Sequence, residues 1–179
     1  MTSARLRIRI RPVAVLLSLA LLPGIAGAAD ACHRRDTADF AVLEGCQQAA
    51  PGALSITAAA LAQLNFNEDG LASLQAGDQY YYVRRDGRYL PVIDYDNGPD
   101  YFQEGLTRAL VNGRLGYYDI QLQPAFSARF SWGWPFKNGT AEVCENCHPG
   151  KPDAGGHTAI VGGQHFRIDR LGRRLPEPR

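Results

Sequence analysis

The chain has 179 residues, of which 45% are hydrophobic and 21% charged, and 19 Lys+Arg against 18 Asp+Glu give a formal net charge of +1. Four arginines lie in the first 28 residues, and without that segment 15 basic residues oppose 18 acidic ones, a net charge of −3. Because nucleic acids and anionic membranes are bound through basic surfaces, this balance argues against both as partners.

Residues 1–28 have the three parts of a secretory signal peptide. Four arginines between positions 5 and 11 form a cationic start, and Val13–Leu22 is an apolar run too short to span a bilayer. Ala26-Gly27-Ala28 is a small-x-small cleavage site, which places the mature start at Ala29. The sequence therefore predicts an exported protein, periplasmic or secreted, with no membrane span in its mature form. The remaining residues, about 150 of them, suit one domain with a modest core.

Four cysteines remain in the mature chain: Cys32, Cys46, Cys144 and Cys147. An even number of cysteines in an exported protein favours disulfides, and four cysteines allow three connectivities. Closeness in sequence favours Cys32–Cys46 and Cys144–Cys147, although spacing alone leaves the other two pairings open.

The first mature segment, residues 29–65, predicts a small helical unit that caps the rest of the chain. Phe40, Val42, Leu43 and Cys46 recur at near-helical spacing. Further on, Ser55 or Thr57 precedes the run AAALAQL and can cap a short alanine-rich helix.

From Phe66 onward, glycine punctuates short β-prone runs. Asp86-Gly87 and Asn112-Gly113 separate such runs and are hairpin signals, because these residues accept the positive φ of type I′ turns. The predicted fold class is therefore mainly β, with short antiparallel β-hairpin repeats and a small N-terminal helical segment. The tail, residues 175–179, contains proline and charge and is expected to fray. The β-prone runs are QYYYVRRDGRYLPVIDY from Gln79, LGYYDIQL from Leu115, FSARFSW from Phe126 and FRID from Phe166.

A sequence repeat underlies these runs. Phe102 to Gly105 and Phe136 to Gly139 have the same internal spacing, and a weaker copy begins at Phe66. The pattern F-x-x-G-L, then NG, then G-Y-x-D in Asp100–Asp119 resembles the bacterial WG-repeat proteins, a family of short β-repeats of mostly unassigned biochemistry. The resemblance covers residues 66–174 and implies stacked hairpins that present an extended binding face. The Trp-Gly pair that names the family is replaced by Leu115-Gly116 and His165-Phe166, while Trp132-Gly133 falls between repeat cores.

The stretch VCENCH, residues 143–148, contains CxxCH, the attachment pattern of a c-type haem. Three functions are possible for these cysteines. They could attach haem together with His148, hold zinc together with His157 and His165, or form a thiol-redox pair at Cys144 and Cys147. The structural alternative is a disulfide that closes a loop of about 16 extra residues inserted in the second repeat unit. The strand-and-turn setting and the oxidising compartment favour the disulfide, with no metal site. The resemblance further implies that Cys144, Cys147 and His157 belong to the loop, whereas His148 completes CxxCH by chance.

The chain has no Ser/His/Asp order, phosphate loop or dinucleotide fingerprint, so we predict no catalytic residues and no enzyme activity. The leading hypothesis is a non-catalytic binding module of the cell envelope, without a cofactor, whose partner is a protein or an envelope component. The alternative is a small periplasmic redox protein that binds haem c or zinc through residues 144–148. The sequence specifies neither the binding residues nor the oligomeric state.

Overall fold

The fold was obtained as a computed structural model, which describes residues 30–35 and 41–177. The signal peptide and the mature start at Ala29 lie outside the described residues. Almost all regular structure is antiparallel strand, which confirms the prediction of a mainly β fold built from hairpins.

The largest element is an eight-stranded antiparallel sheet in the order β3-β2-β1-β4-β5-β6-β7-β8. From β4 onward, neighbours in the chain are neighbours in the sheet. The connections are short turns except between β6 and β7, which residues 93–106 join. Asn112-Gly113 forms one of these turns with φ of 52° and 72°, the conformation that the sequence predicted. The strands are β1 (Ala31–Arg34), β2 (Ala41–Ala50), β3 (Ala53–Ile56), β4 (Leu71–Ala76), β5 (Gln79–Arg84), β6 (Tyr89–Val92), β7 (Thr107–Val111) and β8 (Arg114–Tyr118).

The prediction of a helix from Phe40 to Cys46 is wrong over residues 41–46, which belong to β2, while Phe40 lies outside the described residues. The register of β2 on β1 shifts, so that Ala31 and His33 pair with Gln47 and Val42. This irregularity places two buried side chains, Leu43 and Cys46, three positions apart in a strand. The burial pattern of the bulged strand therefore imitates that of a helix.

The capped alanine-rich helix does form, but as a single turn, α1 (Ala58–Leu61). Thr57 is its N-cap, and its hydroxyl accepts a hydrogen bond from the Ala60 amide at 3.1 Å. The N-terminal segment is thus three strands and one helical turn added to the sheet edge, rather than a helical cap.

A second sheet has three strands in the order β13-β10-β9. The segment expected to be an inserted loop is itself a hairpin, β11–β12, which forms a separate two-stranded sheet between β10 and β13. The strands are β9 (Trp132–Gly133), β10 (Thr140–Glu145), β11 (His148–Pro152), β12 (Thr158–Val161) and β13 (Gln164–Asp169).

The β7–β8 and β10–β13 pairs have the same register when the first strand is counted forward from Gly105 or Gly139 and the second backward from Asp119 or Asp169. The difference is in the connection, which is Asn112-Gly113 in the first pair and the β11–β12 hairpin in the second. The two pairs are therefore equivalent as structural units. The matching partners are Thr107–Tyr118 and Ala109–Gly116 in one pair, and Ala141–Ile168 and Val143–Phe166 in the other.

Three hydrophobic clusters fill the interior and share strands. The N-terminal cluster surrounds Tyr81 and the buried Cys32. The middle cluster includes Tyr80 and Tyr118, and the C-terminal cluster includes Tyr117. Because β5 and β8 each place successive tyrosines in two clusters, each of these strands connects two parts of the core.

Both disulfides favoured by sequence proximity are present, Cys32–Cys46 and Cys144–Cys147. Two disulfides agree with an oxidising, exported environment. The end of the chain that was expected to fray is still attached at Leu175, whose amide donates to the carbonyl of Arg167 at 2.8 Å. Within residues 30–35 and 41–177, no helix has the length and apolar character needed to cross a membrane.

Candidate functional site

The CxxCH residues lie at the base of the inserted hairpin. Cys144 is in β10 and is 1% exposed, and its disulfide to Cys147 closes the turn that leads into β11. His148 is the exposed first residue of β11. A Cys144–Cys147 disulfide occupies both sulfurs that haem attachment would need as thioethers.

The three candidate histidine ligands are spread along the hairpin and the neighbouring strand. His157 lies at the hairpin tip, where its side chain is 87% exposed and its amide donates to Asp153. His165 is on β13 directly opposite Cys144. The described part of the chain contains no cluster of three His, Cys, Asp or Glu side chains with metal-binding geometry.

The outward face of the second sheet carries a different constellation, which is built around the sequence Trp132-Gly133-Trp134. Trp132 begins β9 and Trp134 directly follows it, while Gly133 between them faces the interior. Trp134 is 49% exposed, whereas the indole of Trp132 is partly buried and packs against the C-terminal cluster. A Cβ at Gly133 would lie 2.5 Å from the hydroxyl of Tyr117 and 3.0 Å from Cγ1 of Val143. A glycine is therefore required here so that the strand can approach the core closely.

Buried side chains hold this strand from below. The guanidinium of Arg108 donates to the carbonyl of Gly133 at 2.9 Å, and the hydroxyl of Tyr117 donates to the carbonyl of Trp134 at 2.7 Å. Burial raises the pKa of Tyr117, so the hydroxyl remains a donor into strongly alkaline solution. Both indoles are thus mounted on a strand whose carbonyls are fixed.

Arg108 is itself fixed by Asp100, and both residues are 1% exposed. Their contact is bidentate, with Nη2 to Oδ1 at 2.6 Å and Nε to Oδ2 at 3.1 Å. The carboxylate also accepts the backbone amide of Arg108 at 2.7 Å, which satisfies a buried charge that would otherwise be costly. Asp100, the last residue of an Asp94-x-Asp96-x-x-x-Asp100 pattern, thus acts in a structural ion pair.

We call the concavity between these indoles and the inserted hairpin the indole cleft; its volume is about 630 Å³. The hairpin forms one wall and the outward face of β9, β10 and β13 forms the other. The cleft is mostly apolar with a few polar groups, the usual character of a small-ligand site. Its lining residues are Trp132, Gly133, Trp134, Glu142, Val143, Cys144, Pro149, Thr158, Ala159, Ile160 and His165.

One formally charged side chain among the described residues lines the indole cleft, the carboxylate of Glu142. Its Oε1 is 3.5 Å from Nδ1 of His165, and both side chains are about half exposed. Arg167, opposite Glu142 in the register, instead donates from Nη2 to the hydroxyl of Thr140 at 2.9 Å. The cleft therefore has an acidic rim.

A second cleft, of about 710 Å³, lies on the other side of Trp134. It is larger but shallower and more polar, and it is lined by the cations Lys137 and Arg167 together with Tyr95 and Phe136. We favour the indole cleft as the candidate site because it is better enclosed and because apolar enclosure, rather than volume, provides binding free energy.

Of the candidate site residues named from the sequence, Cys144 and His165 line this cleft, whereas the indoles were not predicted to do so. Trp132-Gly133 was interpreted only as a possible family signature between repeat cores. The signal that identifies the pair is the sequence Trp-Gly-Trp itself, two indoles separated by the one residue that permits close packing beneath them.

Comparison with known proteins gives no identification: no protein-family model, no curated protein and no solved structure matches this chain significantly.

Proposed function

We propose that the mature chain is an exported, non-catalytic binding module of the cell envelope, and that it binds its partner through the indole cleft. The observation that carries the proposal is the pair Trp132 and Trp134, which line the indole cleft on a segment whose carbonyls are fixed by Arg108 and Tyr117. Tryptophan on a rigid support is the side chain most enriched where binding energy is concentrated.

We also propose membership of the WG-repeat family, on the sequence pattern of residues 66–174. The shared register of β7–β8 and β10–β13 supports this proposal, since a repeat of sequence units predicts equivalent pairing. On this view the β11–β12 hairpin is an insertion that adds a wall to one unit and thereby creates the cleft.

Retention of an envelope component by the immobilised mature protein tests the binding function. We expect a component that the native protein retains and that Trp134→Ala releases, because Trp134 is 49% exposed and its removal should not disturb the core. Tyr101→Ala is the matched control, since Tyr101 is 50% exposed and does not line the cleft. Equal retention by the Trp134→Ala variant would contradict the proposed surface.

The mass of the protein exported by its native host separates this function from that of a haem protein. Each disulfide removes two hydrogens, so the two disulfides predict the mass of the reduced mature chain less four hydrogens. A haem-sized increment with a Soret absorption band would replace the binding-module proposal with the redox alternative.

A further inference from the structure

We propose that the indole cleft binds a trimethylammonium group, the cationic group of choline and betaine. This inference rests on the proposed function, that this face of the molecule binds a ligand, and adds the chemical class of that ligand. It depends on three features of the cleft: the arrangement of its two indoles, the sign of its charge and the mostly apolar character of its lining.

The aromatic walls have the geometry of two sides of a cage. The ring centroids of Trp132 and Trp134 are 6.4 Å apart, and the ring planes are 89° to each other. The rings meet edge to face, and a cation in the corner beside this contact lies against both indoles. Indole is the aromatic side chain with the strongest cation–π attraction, and quaternary ammonium recognition by aromatic cages is its best-known use.

The charge of the cleft selects a cation over an anion. Glu142 supplies the carboxylate, and the groups that face it are His165, at 3.5 Å, and Arg167 on the adjacent strand. The guanidinium of Arg167 donates to Thr140 and lines the neighbouring cleft rather than this one. A ligand with a positive charge therefore meets two indoles and a carboxylate in a cleft that no lysine or arginine lines; Arg167 shares this face of the sheet but lines the neighbouring cleft.

The mostly apolar lining favours a methylated cation over a primary ammonium. A primary ammonium has three donors that must be satisfied when it is taken out of water, whereas a trimethylammonium group has none. The lining instead offers apolar contact for methyl groups from Val143, Pro149 and Ile160. With a volume of about 630 Å³, the cleft has room for this group and its attached chain.

Titration of the mature protein with choline chloride, against sodium chloride at equal ionic strength, tests the inference. Trp132 and Trp134 are the two tryptophans of the chain, so indole fluorescence reports on the cleft directly. We expect a saturable change. The neutral isostere 3,3-dimethylbutan-1-ol, which has the same shape without the charge, should bind about tenfold more weakly, the effect of about 1.4 kcal/mol of cation–π and carboxylate attraction. Equal affinity for the alcohol, or no saturable response to choline, would overturn the inference.

Two variants assign the effect to the cleft. Glu142→Gln should weaken choline several-fold and leave the neutral alcohol unchanged, while Trp134→Ala should abolish saturable choline binding followed by calorimetry. Tyr101→Ala, outside the cleft, should bind choline as the native protein does. Unchanged choline affinity in Glu142→Gln would count against a charge-selected site.

Free and lipid-borne sources of the group are separated by vesicle sedimentation. If the protein sediments with phosphatidylcholine vesicles and free choline releases it from them, the ligand is a lipid headgroup. Choline binding without sedimentation would indicate a free ligand. The proposed function and the ligand class can fail independently. If an envelope component is retained in a manner that depends on Trp134 but choline does not bind, the binding surface stands and the trimethylammonium inference is contradicted.

Discussion

At the scale of single residues, the most consequential contact is the ion pair between Asp100 and Arg108. The pair is almost wholly buried and forms part of the connection from the first sheet to the strand that carries the indoles. A buried charge without its partner is costly, because the remaining ion has lost its hydration.

Asp100→Asn is therefore expected to lower the free energy of unfolding by about 3–5 kcal/mol, the usual cost of leaving one member of a buried pair uncompensated. Urea unfolding measures this loss. Asp86→Asn is the matched control, since the Arg88–Asp86 pair is about half exposed and solvent screens it. Equal losses in the two variants would show that Asp100 has no special structural role.

A second residue-scale prediction concerns Tyr82. Burial raises its pKa to about 12, with the carboxylate of Asp100 as a smaller cause, and its hydroxyl donates to the carbonyl of Asp100 at 2.9 Å. The folded state therefore holds this proton more tightly than the unfolded state, in which the pKa is near 10.0. The stabilisation is fully present below pH 10 and is lost as the pH rises towards 12.

We expect Tyr82→Phe to show a shallower loss of unfolding free energy between pH 10 and 12 than the native protein. The variant should also lose about 1 kcal/mol at neutral pH, where it lacks one hydrogen bond. Chemical unfolding at a series of pH values checks both effects. An unchanged alkaline slope would mean that another buried tyrosine, Tyr117, determines it.

At the scale of elements, the two disulfides are expected to contribute unequally to the free energy of unfolding. Cys32–Cys46 joins β1 to β2 across 14 positions, whereas Cys144–Cys147 spans only three at the base of the inserted hairpin. The entropy removed from the unfolded chain grows with the length of the closed loop, giving about 3 kcal/mol for the first and about 2 kcal/mol for the second.

Replacement of each pair by alanine should reproduce this order, with the larger loss for Cys32–Cys46. Its cysteines are also buried in the N-terminal cluster, so their removal leaves a packing defect. Thermal unfolding of the two double variants measures the difference. A larger loss on removal of Cys144 and Cys147 would indicate that the hairpin contributes more to the core than its exposed residues suggest.

How far sequence predicts these elements depends on how local their causes are. The Asn112-Gly113 turn and the Thr57 cap were predicted because two or three adjacent residues determine each of them. The β2 strand was not, because its register shift against β1 is a tertiary event that produces helix-like spacing of Leu43 and Cys46. The indole cleft was missed for the same reason: its second wall, the β11–β12 hairpin, is remote in sequence from Trp132.

At the scale of the whole molecule, the question is whether the eight-stranded sheet and the three-stranded sheet unfold together. The three clusters are not independent, because β5 contributes Tyr80 and Tyr81 to different clusters and β8 does the same with Tyr117 and Tyr118. If one cluster unfolded, the strand that it shares with a second cluster would lose the packing on one of its faces, and the second cluster would be weakened as well. The buried Arg108 adds a polar connection from β7 to Gly133 in the second sheet.

We therefore expect one cooperative unfolding transition. Tryptophan fluorescence reports on the second sheet alone, since both tryptophans adjoin β9, while far-ultraviolet circular dichroism reports on all strands. The two probes should give the same urea midpoint. Trp134→Phe, which leaves Trp132 as the reporter, controls for local changes at the exposed indole. A fluorescence midpoint clearly below the dichroism midpoint would mean that the second sheet opens first and that the strands shared between clusters do not couple the two halves.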